Sequence, residues 1–120
     1  MIVRKLSEAK AYEAPNHRKY ESLRIFGAET GGSQALIFGI SHFQPGGGAG
    51  PDASPPEKIY HLLAGDLTVI IGGQEITSKK GDTCFLAPNE NRQTTTLGPG
   101  TSTIPAACSR SKHWGLTPVE

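Results

Sequence analysis

Short apolar stretches recur along the chain, and glycine, proline and other turn-forming residues separate them. Several stretches alternate between apolar and polar residues, which is the period of a strand with one buried face. The stretches are Leu23–Phe26, Ala35–Phe43, Ile59–Leu63, Leu67–Ile71, Glu75–Ser78, Thr83–Ala87, Gln93–Leu97 and Thr101–Ala107. Such regular spacing is typical of an antiparallel sandwich or barrel. The pattern therefore predicts an all-β fold whose strands close on one another to bury their apolar faces.

Three segments add to this pattern. Residues Ser7–Tyr12 predict one helical turn, because a serine can cap its start and Pro15 prevents its extension. The Gly- and Pro-rich stretch Pro45–Pro56 predicts a long loop. This loop is either a flexible lid over a pocket or a segment stiffened by the two prolines at its exit. His113-Trp114 is predicted to anchor the C-terminal tail by packing.

Composition narrows the class of protein. The chain has 120 residues and a mass of 12.7 kDa, which suits one domain with one core. Its net charge is +1 without a long basic cluster, so a nucleic-acid partner is not predicted. No apolar run approaches the roughly 20 residues of a membrane helix. The first residues lack the apolar core of a secretory signal. The sequence therefore predicts a cytoplasmic protein without a membrane partner.

The two cysteines give a weaker signal. Cys84 and Cys108 can form one disulfide, but a chain that depends on disulfides to fold usually carries more of them. Cys84 falls in a predicted buried strand, where a thiol is usually inert packing. No chemistry is assigned to either thiol.

Spacing in the middle of the chain resembles that of a known family. Gly46, Asp52-Ala53-Ser54, Lys58 and Gly65 follow one another with five, three and six residues between them, then come the stretch Gly65–Gly73 and a second run from Gly81-Asp82 to Pro88 and Arg92. These glycines, the hairpin and their order resemble the two sequence motifs of the cupin superfamily. The resemblance implies a single-domain antiparallel β-barrel of the jelly-roll type (a double-stranded β-helix) over residues 1–120. Its motif core spans about 41–97, with an N-terminal strand segment at 1–30 and a C-terminal strand and tail at 98–120.

The chain departs from this family at the positions that bind a metal. The resemblance implies two histidines, an acid and a later histidine, but here these places hold Asp52, Ser54, Lys58 and Arg92. Lysine and arginine carry positive charge and offer no lone pair, so they repel a divalent cation. One aspartate cannot hold a metal that needs three or more protein ligands. We therefore predict no metal and no other cofactor at this site.

A register shifted by one residue is also open. In that register Glu57 takes the place of the acid, and Gln93 stands in for the last histidine. The two earlier histidine positions then fall on Pro51 and Ala53, which bind no metal. Neither register restores a standard metal site.

The first register predicts an anion-binding pocket. Successive strand residues face opposite sides, so Lys58 and Tyr60 point into the barrel together, and Arg92 joins them from the second motif. Asp52 and Ser54 then lie at the mouth. An arginine binds a carboxylate in bidentate fashion and a lysine adds a point charge, so the pocket suits a small anion. In the alternative interpretation Lys58 extends to the surface and pairs with an acid there.

The shifted register predicts a proton-transfer pair. His61 and Glu57 then lie on the inner face, where a carboxylate and an imidazole can exchange protons near neutral pH. The resemblance allows such chemistry, because metal-free cupins include epimerases and isomerases. The alternative is that His61 is a core or interface histidine with a hydrogen-bonding neighbour.

The sequence thus predicts a metal-independent cupin that binds a small anionic or carbonyl-bearing metabolite and acts as an isomerase, epimerase or lyase by proton transfer. Two alternatives stay open at this point. The first is a non-catalytic binding or sensor module. The second is a metal-dependent cupin that uses His17, His42 and His61 from outside the motifs. The resemblance also implies a homodimer.

Overall fold

A computed structural model describes residues 1–27 and 30–109 of the chain. These residues form a short 3-10 turn at Leu6–Glu8 and strands that we number in chain order. The strands are β1 (Lys10–Tyr12), β2 (His17–Phe26), β3 (Leu36–Asp52), β4 (Lys58–His61), β5 (Asp66–Ile71), β6 (Gln74–Lys79), β7 (Thr83–Leu86), β8 (Arg92–Thr95) and β9 (Ser102–Ser109). The predicted all-β class is confirmed.

The strands form one antiparallel sheet that nearly closes into a barrel, as in a cupin jelly roll. The strand order is β6-β5-β8-β3-β9-β4-β7, and β2 pairs with the other edge of β3 and with β1. The barrel has two walls, and the long strand β3 belongs to both. In the first wall (β2, β3, β9, β4 and β7) the first half of β3 pairs with β9, and in the second wall (β3, β8, β5 and β6) its last residues pair with β8. The bend between these halves folds the sheet over a shared interior.

The apolar core fills one end of this interior. Its buried side chains come from both walls: Phe43, Leu62, Leu67, Val69, Leu86 and Ile104. The alternation of the strands places these side chains inside, as the period of two requires. The other end of the interior is lined by polar and charged side chains and contains the cavity described below.

The segment predicted as a lid is a strand. Residues 46–52 continue β3, with the backbone of Gly47 and of Gly46 bonded to Thr96. Gly48 lies so close to β8 that a Cβ there would collide with the carbonyl oxygen of Thr94. The glycines are therefore needed for close strand packing, and the prediction of a flexible lid is wrong.

One smaller prediction is corrected. The helical turn expected at Ser7–Tyr12 is the 3-10 turn, and the chain then becomes β1, because the edge of β2 pairs its backbone groups. Cys84 and Cys108 do not form the disulfide that the sequence left possible. Within the described residues there is no helix long and apolar enough to cross a membrane. His113-Trp114 lies outside the described residues.

Candidate functional site

A cavity opens between the two walls of the barrel. Its enclosed volume is about 70 Å³, which is room for a few water molecules or one small molecule. Its described lining contains no Asp or Glu. The lining residues that carry a charge or a polar ring are Tyr12, His17, Arg24, Lys58, Tyr60 and Arg92. The cavity thus combines positive charge with hydroxyl groups.

The pairing register of the strands explains why side chains do not fill this cavity. Across the first wall, Arg24 pairs with Gly39, Gly39 with Ala106, and Ala106 with Tyr60. Gly39 and Ala106, in the middle of this row of paired residues, have little or no side chain. Open space therefore remains above them, between the large side chains of Arg24 and Tyr60. Gly39 is required for a second reason, because a Cβ there would collide with the carbonyl oxygen of Leu23. This space leaves room for a ligand between a guanidinium and a phenol.

Lys58 lies in the same wall, two residues from Tyr60. Both side chains line the cavity, and only 7% of Lys58 is exposed. Its backbone pairs with Cys108 on one side and Leu86 on the other. Glu57, in the preceding position, is exposed to solvent. The side chains therefore alternate as in the first of the two registers considered from the sequence.

Arg92 reaches the cavity from the second wall. One guanidinium nitrogen donates a hydrogen bond to the backbone oxygen of Asp52, at 2.9 Å. The guanidinium also lies close enough to the Tyr60 phenol for its charge to act on it. Burial raises the pKa of Tyr60, although the nearby charge of Arg92 opposes this effect. The phenol therefore stays protonated at neutral pH and can donate a hydrogen bond to a ligand.

His17 stands opposite Lys58 at the start of β2. Its Nδ1 lies 2.7 Å from the carbonyl oxygen of Pro15, which accepts its proton. The ring packs against the rings of Tyr20 and Phe43, with centroid distances of 5.0 and 5.9 Å. Burial is the main cause that lowers the pKa of His17, the charges of Lys58 and Arg92 lower it further, and the Pro15 hydrogen bond and Asp52 act the other way. The imidazole is therefore neutral at pH 7.

The remaining sequence-predicted residues lie outside the cavity lining. The Asp52 side chain is exposed, and its carboxylate accepts a hydrogen bond from the backbone of Ala53. The backbone oxygen of Ser54 accepts a hydrogen bond from Asn89. His61 hydrogen-bonds Thr83 on the face opposite Tyr60. The structure brings Lys58, Tyr60 and Arg92 together but not Glu57 and His61, and the roles of all of them stay predictions.

The residues at the metal positions of a cupin do not fit a metal ion. Lys58 and Arg92 lie in the cavity, where their charges repel a divalent cation. The histidines of the alternative set do not converge, because His42 hydrogen-bonds Thr103 on the outer face and His61 hydrogen-bonds Thr83. In residues 1–27 and 30–109, no three His, Cys, Asp or Glu side chains are placed to share a metal ion.

Sequence reasoning missed the third cation. Arg24 is only 3% exposed, and its guanidinium lies 4.2 Å from the centre of the Tyr12 ring. Both residues line the cavity. The predicted strand Leu23–Phe26 was identified by its apolar residues, so the pattern assigned no function to Arg24 between Leu23 and Ile25. The available signal was the alternation of Ser22 and Arg24, which marks a polar inner face on β2.

Comparison with known proteins finds one curated relative and many structures of the same fold. The relative is a Mycobacterium tuberculosis protein named beta-D-galactosidase, 34% identical over 92 residues, which cover 77% of this chain and 79% of that protein. No family model matches the chain.

Several solved structures have a similar fold. The polyketide cyclase RemF of Streptomyces resistomycificus superposes with a TM-score of 0.79 at 15% identity, over 91% of this chain and 79% of that one. A predicted oxalate decarboxylase of Thermotoga maritima gives 0.77 at 22% identity, over 90% and 98% of the two chains. A Cupin 2 conserved barrel domain protein of Salinispora arenicola gives 0.73 at 18% identity, over 90% and 87%. At these identities the likeness shows the fold alone. The nearly closed barrel and these structures show that the chain has the cupin fold, and the chain belongs to the same family as the mycobacterial protein.

Proposed function

We propose that the barrel cavity binds a small carboxylate-bearing or carbonyl-bearing metabolite without a metal ion. The observation that supports this proposal is the convergence of Arg24, Lys58 and Arg92 on a cavity whose described lining has no acid. Three positive charges beside one cavity attract an anion that enters it. A carboxylate carries that charge and also matches the fork of a guanidinium.

The same cavity suits proton transfer next to a carboxylate or carbonyl group. Removal of a proton from the neighbouring carbon leaves an enolate, whose negative charge Lys58 and Arg92 would stabilise. The protonated Tyr60 phenol can hydrogen-bond the same oxygen. We therefore propose an isomerase, epimerase or lyase. The residues of this chain supply all the charges that the step requires.

Galactoside hydrolysis is the second candidate, because the mycobacterial relative bears the name of a beta-D-galactosidase. Glycoside hydrolysis generally uses two carboxylates on either side of the scissile bond. The described lining of the cavity offers none, and Glu57 and Asp52 are exposed outside it. The residues that line the cavity therefore favour binding of an anion over hydrolysis of a galactoside. Hydrolysis stays the second candidate because of the relative's name.

We also propose that the chain is a homodimer. On the outer face of the first wall, Phe38, Ala107, Ile59 and Phe85 pair in sequence across β3, β9, β4 and β7. Three of them are large and expose 37%, 46% and 57% of their surface, respectively for Phe38, Ile59 and Phe85. A continuous exposed apolar row of this kind is typical of a protein interface. A second copy of the same face covers it most simply.

One screen separates the two activities from simple binding. Purified protein is tested for thermal stabilisation by small carboxylic acids and by their neutral amides, and for hydrolysis of nitrophenyl beta-D-galactoside. Stabilisation by acids but not amides, without hydrolysis, supports the proposal. Hydrolysis without stabilisation by any acid contradicts it. An acid that stabilises the protein and is recovered unchanged after long incubation supports binding and refutes catalysis on that acid, as expected for a sensor module.

A further inference from the structure

We propose that His17 carries the proton in this cavity, so that an anionic ligand binds together with one proton. This inference rests on the proposed function and gives His17 a role that the sequence did not predict. The cavity needs a base that is neutral before the ligand arrives and can hold a proton afterwards. His17 is the imidazole that lines the described cavity.

Geometry fixes which nitrogen does this. The Nδ1 proton of His17 is donated to the carbonyl oxygen of Pro15 at 2.7 Å. Packing against the rings of Tyr20 and Phe43 holds the imidazole in place. With one nitrogen occupied by a backbone bond, Nε2 is the acceptor available to a ligand. This arrangement orients a base without requiring a carboxylate behind it.

Charged groups from several strands surround the imidazole. Lys58 on β4 and Arg92 on β8 repel a proton on the ring, whereas Asp52 at the end of β3 attracts one. Tyr60 keeps its own proton at neutral pH because it is buried. A bound anion would offset the two cations, and a proton on His17 would then be favoured. Anion binding and protonation of His17 are therefore expected to strengthen each other.

In the proposed reaction His17 takes its proton from the ligand itself, in complexes that form while the imidazole is still neutral. The C–H bond beside the ligand's carboxylate or carbonyl breaks, and its proton moves to Nε2. The electron pair stays on the ligand as an enolate next to Lys58 and Arg92. If that carbon carries a hydroxyl group, the hydroxyl proton passes to the former carbonyl oxygen. The imidazolium then returns its proton to the former carbonyl carbon, which completes an isomerisation without any other reactant.

The test measures the proton directly, with oxalate as the probe because it stays ionised from about pH 5.5 to 7.5. Calorimetry in two buffers of different ionisation enthalpy gives the protons taken up per oxalate bound. NMR gives the titration midpoint of the His17 ring with and without oxalate. We expect up to one proton taken up, a higher midpoint with oxalate, and a Kd that falls by at most about tenfold per pH unit as pH decreases.

Two variants identify the carrier. His17→Gln should still bind oxalate but lose the proton uptake, whereas His42→Gln, on the outer face beside Thr103, should match the wild type. The inference is overturned if His17→Gln keeps the uptake, or if the midpoint of His17 in the unmodified protein does not move at saturating oxalate. The NMR result needs no variant, so a folding defect in His17→Gln cannot mask it. If oxalate and related acids do not bind at any pH, the proposed function fails first and this inference falls with it.

Discussion

Replacing Lys58 by methionine should weaken binding of a small dicarboxylate such as malonate. Lys58 is only 7% exposed and lines the cavity, so its ammonium meets the ligand largely out of water. A hydrogen bond to a charged group contributes about 1.5–3 kcal/mol, which corresponds to a roughly 10- to 150-fold rise in Kd. Methionine keeps a similar length and an apolar stem, so the wall of the cavity is filled in both proteins.

The measurement is calorimetric titration with malonate at low and at high salt. Lys80→Met is the matched control. Lys80 is exposed on the turn between β6 and β7, so the substitution removes the same charge at a site outside the cavity. It should change Kd by less than about twofold, through long-range electrostatics alone. Circular dichroism checks that both variants fold. A Lys58→Met protein that binds malonate as tightly as the wild type would refute the assignment of the cavity.

Four further predictions follow from the fold and the site. Arg24→Met should also weaken malonate binding about tenfold or more by calorimetry, and an unchanged Kd would remove it from the site. Leu67→Ala should lower the free energy of unfolding by about 2–5 kcal/mol in urea, because its side chain is fully buried in the core. Phe85→Ser should shift the protein towards monomer in light scattering, and a dimer of unchanged affinity would exclude this face. The lowered pKa of His17 means that the unfolded chain binds more protons between that value and 6.5, so stability should fall as pH decreases through 6.5. If the free energy of unfolding, measured with denaturant, depends on pH in the same way in His17→Gln and in the wild type, His17 is not the cause of this loss of stability.

Sequence patterning was sufficient for the architecture. Apolar runs separated by Gly and Pro marked the later strands, because turn chemistry and the period of two act locally. It failed at Pro45–Pro56, where glycines serve close packing between β2 and β8 rather than a turn. That function depends on neighbours distant in the chain. The local composition of a crowded strand and of a mobile loop is the same.

The candidate site could be predicted only in part. Near the cavity, polar side chains point into the barrel and apolar side chains point outwards, which is the opposite of the usual arrangement. On β4 the polar Lys58 and Tyr60 point inwards while Ile59 points out. On β2 Arg24 points inwards in the same way. Patterning alone assigns the apolar side of such strands to the core, and motif spacing corrected this for Lys58 but gave nothing for Arg24. The convergence of three cations is a property of register across strands, which one sequence does not display.

The most direct test of the central claim is a titration of metal-free protein with malonate and, separately, with neutral malonamide. The protein is treated with a chelator, and elemental analysis confirms that less than about one-twentieth of the molecules hold a transition metal. We predict that malonate binds, that added salt weakens this binding, and that malonamide does not bind. Binding of malonate only after a metal is restored, or equal binding of malonamide, would contradict a metal-free anion site.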